Sequence, residues 1–532
     1  MRIFMPGSEK IRVTKAAMLV GSATLLSRIL GFARDVVIAW YFGAGLYSDA
    51  FIVAFRIPNL FRRLFAEGSL GISFIPVFAE YLIKEGKDEA NNLAGSAVRL
   101  LSIILVFITV LGIIFSPLIV TVIAPGFAGS AAKFALTVSL TRIMFPYIYL
   151  ICLLGIFMGI LNVLGHFAAP AFAPCILNIS MITAVLFVSP LMNEPVKVLA
   201  AGVLAGGVLQ LLVQVPFLMK NGIYLWRKTK IFHPGIKKVG ILMLPAIFGG
   251  AVYQINMFVS TLLASFLPEG SISYLYYADR LVQFPLGVFA ISAATAIFPA
   301  LSRQASENDM NALKETFDYS IRMVLFITFP CMIGLIVLRE PVIILLFKRG
   351  EFDMQTVKLT AQALLCYSIG LWAFASVKIT VPVFYALKDT KTPVITALIS
   401  FIANIALSFL LMKPLKHGGL ALANSLASIL NIILLFRAIN IKVGYPGWDK
   451  LQKSAGKTVV CSLIMGGIVW CLKSLIIPYE NISFGAMLLS VTSCLLAGIV
   501  LYGFLTYFVK SSEIKSLIAL TGRSRKKVEQ KE

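Results

Sequence analysis

Ser27-Arg28-Ile29-Leu30-Gly31-Phe32-Ala33-Arg34-Asp35 (27–35) sits in the middle of an apolar run that extends from 15 to 42. A helix needs about 20 apolar residues to cross the ~30 Å of bilayer hydrocarbon, and this run is long enough. It nevertheless carries two arginines and an aspartate. A charge at mid-bilayer costs roughly 2.5–3.5 kcal/mol on insertion scales, so such a segment reads as a membrane helix with one side turned to a polar cavity. At 3.6 residues per turn, Arg28 and Asp35 fall on nearly one face and Arg34 about a third of a turn away. Either arginine is placed to pair with Asp35, and the wide charged sector fits the border of a water-filled space.

The next apolar run repeats the anomaly. Arg56-Ile57-Pro58-Asn59-Leu60-Phe61-Arg62-Arg63-Leu64-Phe65-Ala66-Glu67-Gly68 combines cations with a proline that removes an intrahelical hydrogen bond and favours a kink. Arg63 and Glu67 stand at i and i+4 and can neutralise each other. Arg62 has no such neighbour, which makes it the better ligand contact, because a guanidinium grips phosphate oxygens bidentately. Further along, Ser273-Tyr274-Leu275-Tyr276-Tyr277-Ala278-Asp279-Arg280-Leu281 places Asp279 and Arg280 in an apolar segment, either as a local pair or with separate partners. Three arginines around one cavity, Arg34, Arg62 and Arg280, suit a diphosphate with its many acceptor oxygens.

Composition supports a polytopic membrane protein. Of 532 residues, 59% are hydrophobic and 13% charged, with a mean hydropathy of +0.90, far too apolar for a soluble chain of this size. Spans are expected at 15–42, 47–82, 91–122, 135–163, 170–190 and 197–219, then at 239–266, 272–302, 316–338, 356–386, 392–412 and 418–437, and finally at 456–477 and 482–509. These fourteen make an all-α polytopic membrane protein with an N-lobe (1–220, helices 1–6), a C-lobe (221–438, helices 7–12), C-terminal helices 13–14 (439–510) and a basic tail (511–532). With the N-terminus inside, the inner connections hold 30 Lys and Arg and the outer ones nine. The positive-inside rule then puts both termini in the cytoplasm. The same topology accounts for most of the formal net charge of +23, so no nucleic-acid partner is expected.

Two short matches relate the lobes. Phe65-Ala66 with Phe74-Ile75-Pro76 resembles Phe289-Ala290 with Ile297-Phe298-Pro299, and Thr137-Val138-Ser139-Leu140-Thr141 resembles Thr356-Val357-Lys358-Leu359-Thr360. Matches at corresponding positions favour a duplicated transporter with pseudo-symmetric six-helix lobes and its substrate site between them.

Other chemistry finds little material. The seven cysteines lie singly in apolar segments, without a CxxC pair, and read as small buried hydrophobes; the three histidines fall in connections. No metal site and no Cys/His catalytic pair is expected. GxSxG, HExxH and Walker A patterns are absent from the sequence, so an enzyme is not expected. Spans seven and eleven contain no Asp or Glu, which leaves a carboxylate-based sodium or proton site there unsupported. No cofactor is expected, and coupling to an ion or to the membrane potential has no signature in the chain. Asn178, Gln210, Gln214, Gln254, Asn256, Asn404 and Asn431 read as interhelical hydrogen-bonding residues. Lys378 and Arg56 receive no role at this level.

SRILGFARD (27–35), FGAGLYSDAF (42–51), FRIPNLFRRLFAEGSLGISFIPVFAEY (55–81), APGF (124–127), YYADRLVQFPLGV (276–288) and KDTKTP (388–393) together resemble the bacterial lipid II flippases of the MurJ/MviN family, from about residue 15 to 510. The resemblance implies the fold of the multidrug/oligosaccharidyl-lipid/polysaccharide exporters. It places two six-helix lobes around a central cavity, with two C-terminal helices forming a lipid-facing groove. It also implies the substrate, undecaprenyl diphosphate carrying the peptidoglycan disaccharide-pentapeptide, flipped across the bacterial cytoplasmic membrane by alternating access. Family cavity arginines map onto Arg28, Arg34, Arg62 and Arg280, and acidic outer-gate residues onto Asp35 and Asp49; Glu67 and Asp279 join them as gating or cavity acids. Lipid II, membrane lipids and cell-wall synthesis enzymes are the implied partners. The nearest alternative is an exporter of another polyprenyl-diphosphate-linked oligosaccharide.

Overall fold

Long apolar segments leave the backbone no water to bond with, so helices that satisfy their own N–H and C=O groups are the expected outcome. The computed structural model describes residues 7–63, 70–225, 231–444, 447–477 and 483–516, with side chains except at 7–14, 16, 17 and 244–253. Glu67, Phe65-Ala66 and most of the basic tail lie outside the described residues. In the first half run α1 (Gly7–Phe42), α2 (Leu46–Phe61), α3 (Leu70–Lys84), α4 (Lys87–Ile114), α5 (Ser116–Ile123), α6 (Ala131–Met144), α7 (Tyr147–Val163), α8 (Ala168–Thr183), α9 (Pro195–Lys220) and α10 (Pro234–Ser265). There follow α11 (Ser271–Pro285), α12 (Ser292–Ser306), α13 (Met310–Phe347), α14 (Met354–Ile369), α15 (Leu371–Ala386), α16 (Lys391–Leu415), α17 (His417–Val443), α18 (Trp448–Ile476) and α19 (Phe484–Phe508).

Ten of the described helical stretches are long and apolar enough to cross a membrane, or eleven if the bent pair α14 and α15 is one span. The chain is a multi-pass membrane protein. The three expected spans outside this set are those over 15–42, 47–82 and 239–266. They correspond to α1, with its charged centre, to the separate helices α2 and α3, and to α10. Fourteen crossings agree with this pattern without being counted directly. The 43° bend between α14 and α15 falls at Gly370, where α17 packs closely. At Gly370 an added Cβ would stand 2.7 Å from the Ser425 side chain. The Ser425 hydroxyl donates to the carbonyl of Cys366 at 2.7 Å, an acceptor at the end of α14.

The chain divides into two compact units, Met1–Ser273 and Tyr274–Glu532. In the first, α1 packs on α8, α2 on α6, and α9 on α7 and α8, around a core that includes Phe51, Leu140, Met144, Tyr147 and Val203. In the second, α16 packs on α17, and α13 on α14, α15 and α18. Helices α18 and α19 close a core with α13 through Phe326, Leu338, Met465, Val491 and Tyr502. The division falls one helix later than the 220/221 boundary read from the span pattern, because α10 packs on α3, α4 and α5. Five cysteines are buried as expected, but Cys331 is half-buried and Cys471 exposed; all seven are free thiols.

The KDTKTP connection is held by Asp389. Its carboxylate accepts from Lys442 Nζ at 2.6 Å and from the backbone N–H and hydroxyl of Thr392 at 3.0 and 2.7 Å. These donors, the Lys442 ammonium first, hold its pKa well below the usual carboxylate range. A depressed folded-state pKa stabilises above the unfolded value and is lost as pH falls. Asp389→Asn keeps an acceptor for Thr392 but loses the Lys442 ion pair, and is expected to destabilise the fold at pH 7 by up to about 1 kcal/mol, seen as a lower melting temperature. The gap from wild type should shrink as pH falls below about 4, a trend that thermal scans across pH would read.

Candidate functional site

In α1, the adjacent Arg34 and Asp35 are both buried, 7% and 1% exposed. Arg34 bonds Asp35 Oδ1 through Nη2 at 2.6 Å and Nε at 3.0 Å. Its Nη1 donates to Asn178 Oδ1 on α8 at 3.1 Å, and Asn178 in turn donates to the Ser27 carbonyl at 3.2 Å. Between the two arginines that sequence left open as partners of Asp35, the structure selects Arg34, since α8 supplies an acceptor that fixes its guanidinium. Arg28 is exposed on the same helix and makes no ion pair among the described residues.

Arg56 donates to the Met257 carbonyl of α10 at 3.3 Å, which gives it a structural tie that sequence did not supply. Arg62 and Arg63 follow the end of α2 in a π-type turn and are half-buried; Arg63 Nη1 approaches Met257 Sδ at 3.9 Å. The proposed Arg63–Glu67 pair cannot be placed, as Glu67 is outside the described residues.

Asp49, in the first turn of α2, is 1% exposed and saturated with donors. Lys133 Nζ at the start of α6 reaches Asp49 Oδ2 at 2.6 Å. Gly270 N donates to the same oxygen at 2.8 Å; Ser273 N and Oγ donate to Oδ1 at 2.9 and 2.6 Å. Asp49 thus supplies the carboxylate that the first N–H groups of α11 require, and the positive end of that helix favours its charge. The arrangement is reciprocal, because Glu269 accepts from Leu46 N, the first N–H of α2, at 2.7 Å. Lys133 is itself 6% exposed and lies 4.3 Å from the Phe127 ring centroid. The APGF turn approaches closely here: Gly126 N donates to Ser265 Oγ at 3.0 Å, and a Cβ at 126 would collide with the Ser265 carbonyl.

In the second unit, Arg280 is exposed. Its Nη2 donates to Tyr276 OH at 2.9 Å, and its guanidinium sits 5.0 Å from the Tyr276 ring centroid. Asp279 is half-buried and accepts from Gln283 Nε2 at 3.4 Å. Each of these neighbours is one helical turn away, which is the spacing that brings side chains together on one face.

Chemically, these are cations and carboxylates held by hydrogen bonds on membrane helices, and guanidinium and ammonium groups are the donors that suit an anionic ligand. A model of the family described as lipid II flippase MurJ matches residues 38–490. The chain belongs to this family. A probable lipid II flippase MurJ from Vibrio cholerae is 39% identical over 472 residues, 87% of this chain and 90% of that one. The lipid II flippase MurJ of Burkholderia cenocepacia is 37% identical over 465 residues, covering 86% and 90%. Among solved structures, a lipid II flippase MurJ in an inward closed conformation superposes with a TM-score of 0.77 at 29% identity, over 93% of this chain and 99% of that one. An inward-facing multidrug MATE transporter of the MOP superfamily matches at TM-score 0.65 and 16% identity over 82% of this chain and 99% of that one, a likeness of fold. As a MurJ-family chain it is a transporter rather than an enzyme.

Sequence reasoning missed Lys133, Ser273 and Glu269. Lys133 is one of the nine Lys and Arg of the outer connections, and its run Ala131-Ala132-Lys133-Phe134 carries no sign of a carboxylate more than 80 positions away. Asn178 and Gln210 act as the interhelical links expected of them, Gln210 donating to the Ala173 carbonyl at 2.7 Å.

Proposed function

We propose that this chain flips lipid II, the undecaprenyl-diphosphate-linked peptidoglycan precursor, from the inner to the outer leaflet of the bacterial cytoplasmic membrane, with both termini in the cytoplasm. Membership of the MurJ family carries the reading, and cations on membrane helices support it. Arg28, Arg34, Arg62 and Arg280 hold the diphosphate, while Asp35, Asp49, Glu67 and Asp279 serve as gating or cavity acids. A diphosphate and its sugars need a polar path, whereas the polyprenyl chain keeps its hydrophobic stabilisation by staying in the bilayer. Alternating access of the polar faces to the two sides meets both demands without a cofactor. Asp49 is suited to gating because its bonds, to backbone N–H groups, a hydroxyl and one ammonium, are all exchangeable. On this reading the chain's further partners are membrane lipids, with cell-wall synthesis enzymes as candidates.

Complementation tests this reading. Expressed in bacteria depleted of their own flippase, the chain should restore growth and the exposure of lipid II at the outer face. Failure despite good membrane expression would favour the export of another polyprenyl-diphosphate-linked oligosaccharide, identifiable by assaying those lipids in the same cells.

A further inference from the structure

The open face of α15 separates it from the helices that meet lipid. On α16, Val394, Leu398, Ile402 and Leu410 are among the exposed side chains, and on α19 Leu489 and Ile499; such aliphatic stripes match hydrocarbon. The exposed residues of α15 are Lys378 and Tyr385. Seven positions apart, they lie two turns along one face. No exposed Leu, Ile, Val or Phe accompanies them on that helix. Elsewhere around its circumference α15 is packed, by α12, α13 and α17.

Lys378 makes no hydrogen bond or ion pair among the described residues. Snorkelling to the helix end does not account for it. Eight residues separate it from Ala386, the end of α15, or about 12 Å at 1.5 Å per residue, roughly twice the reach of a lysine side chain. An ammonium left in hydrocarbon is costly, so this face meets water or an anion. The elements beside it carry the other exposed cation of the second unit's first helix: α15 packs on α12 and on the turn Leu286–Ile291 that continues α11, the helix of Arg280.

We infer that Lys378, with the Tyr385 hydroxyl two turns away on the same face, forms a second phosphate-binding subsite for the polyprenyl-diphosphate substrate, within the C-terminal unit. The inference rests on the transport of a lipid diphosphate proposed above. Lysine suits such a subsite because it binds phosphate as a compact point charge with three rotatable donors, without the fixed fork that would lock one geometry. That permits a diphosphate to move past, as a transport path requires. Tyr385 adds a neutral donor of the kind that tolerates either phosphoryl group.

The test measures binding of undecaprenyl diphosphate, of lipid II and of phosphatidylglycerol to the purified full-length protein in detergent. Wild type, Lys378→Met, Lys378→Arg, Tyr385→Phe and Arg280→Ala are compared, with melting temperatures as a check on folding. Lys378→Met should fold normally and bind undecaprenyl diphosphate roughly tenfold more weakly, the lower range for a lost hydrogen bond to a charged group, while Lys378→Arg stays within about threefold of wild type. Tyr385→Phe should show a smaller loss. Wild-type affinity in Lys378→Met, with Arg280→Ala impaired, would overturn the subsite and leave the flippase reading standing. A loss confined to lipid II would make the lysine a contact of the peptide carboxylates, and a loss confined to phosphatidylglycerol a contact of bulk lipid; either overturns the inference. Failure of wild type to bind both undecaprenyl lipids would overturn the transport proposal itself.

Discussion

Replacing Asp49 with alanine is expected to cost about 3–5 kcal/mol of stability, the range for removing one member of a buried ion pair. The change strips acceptors from Gly270 N and from Ser273 N and Oγ, and leaves the 6%-exposed Lys133 ammonium without its carboxylate. Most of the penalty comes from that uncompensated charge. Asp49→Ala combined with Lys133→Met should therefore recover a large part of the loss, since an apolar replacement of both partners is far cheaper than a half-broken pair. Melting of the purified single and double variants in detergent measures this coupling. Equal melting temperatures for wild type and Asp49→Ala would show that the junction contributes no stability. In cells the single variant should also transport poorly, because Asp49 is where α2 and the start of α11 are held together.

Arg34→Ala is the second large effect. Lipid II exposed at the outer face of complemented cells should fall at least about tenfold, since a charge-assisted guanidinium–phosphate bond is lost together with the bonds Arg34 makes to Asp35. Arg34→Lys is expected to rescue little. One ammonium cannot reproduce the fork that spans Asp35 Oδ1 and Asn178 Oδ1 at 2.6 and 3.1 Å, so Arg and Lys are not interchangeable here. Asn178→Ala separates positioning from contact: it keeps the Arg34 charge and its Asp35 bond but frees the guanidinium on one side, and should reduce transport less than Arg34→Ala. Immunoblots of the membrane fraction control for folding. Undiminished lipid II exposure with well-expressed Arg34→Ala would remove Arg34 from the diphosphate grip.

The α1 pair shows how far sequence reaches at a functional site. Charge inside an apolar run is visible in the chain itself, because hydrocarbon tolerates it so poorly, and Arg28, Arg34, Asp35, Arg62 and Arg280 were all found that way. Which arginine takes Asp35 was not visible. That choice depends on Asn178, 144 positions further on, which meets Arg34 only when α8 packs on α1. Asp49 is a harder case, since Leu46-Tyr47-Ser48-Asp49-Ala50 reads locally as an ordinary polar helix start. Only its family resemblance marked it, and its partners come from α6 and from the turn before α11.

Residue chemistry read along the chain is enough to assign the class: a helical, multi-pass membrane protein with cations where lipid forbids them. Length and hydropathy act locally, through the cost of each residue in hydrocarbon, so they can be read along the chain. Only packing fixes how deeply each charge is buried and which groups it bonds. Arg34, Asp35, Asp49 and Lys133 are buried with hydrogen-bonded partners, whereas the side chains of Arg28, Arg280 and Lys378 are exposed. The reason is physical. A charge's fate in a membrane helix depends on whether packing brings an opposite charge or a helix end within about 3 Å, and that distance is set by residues far away in sequence.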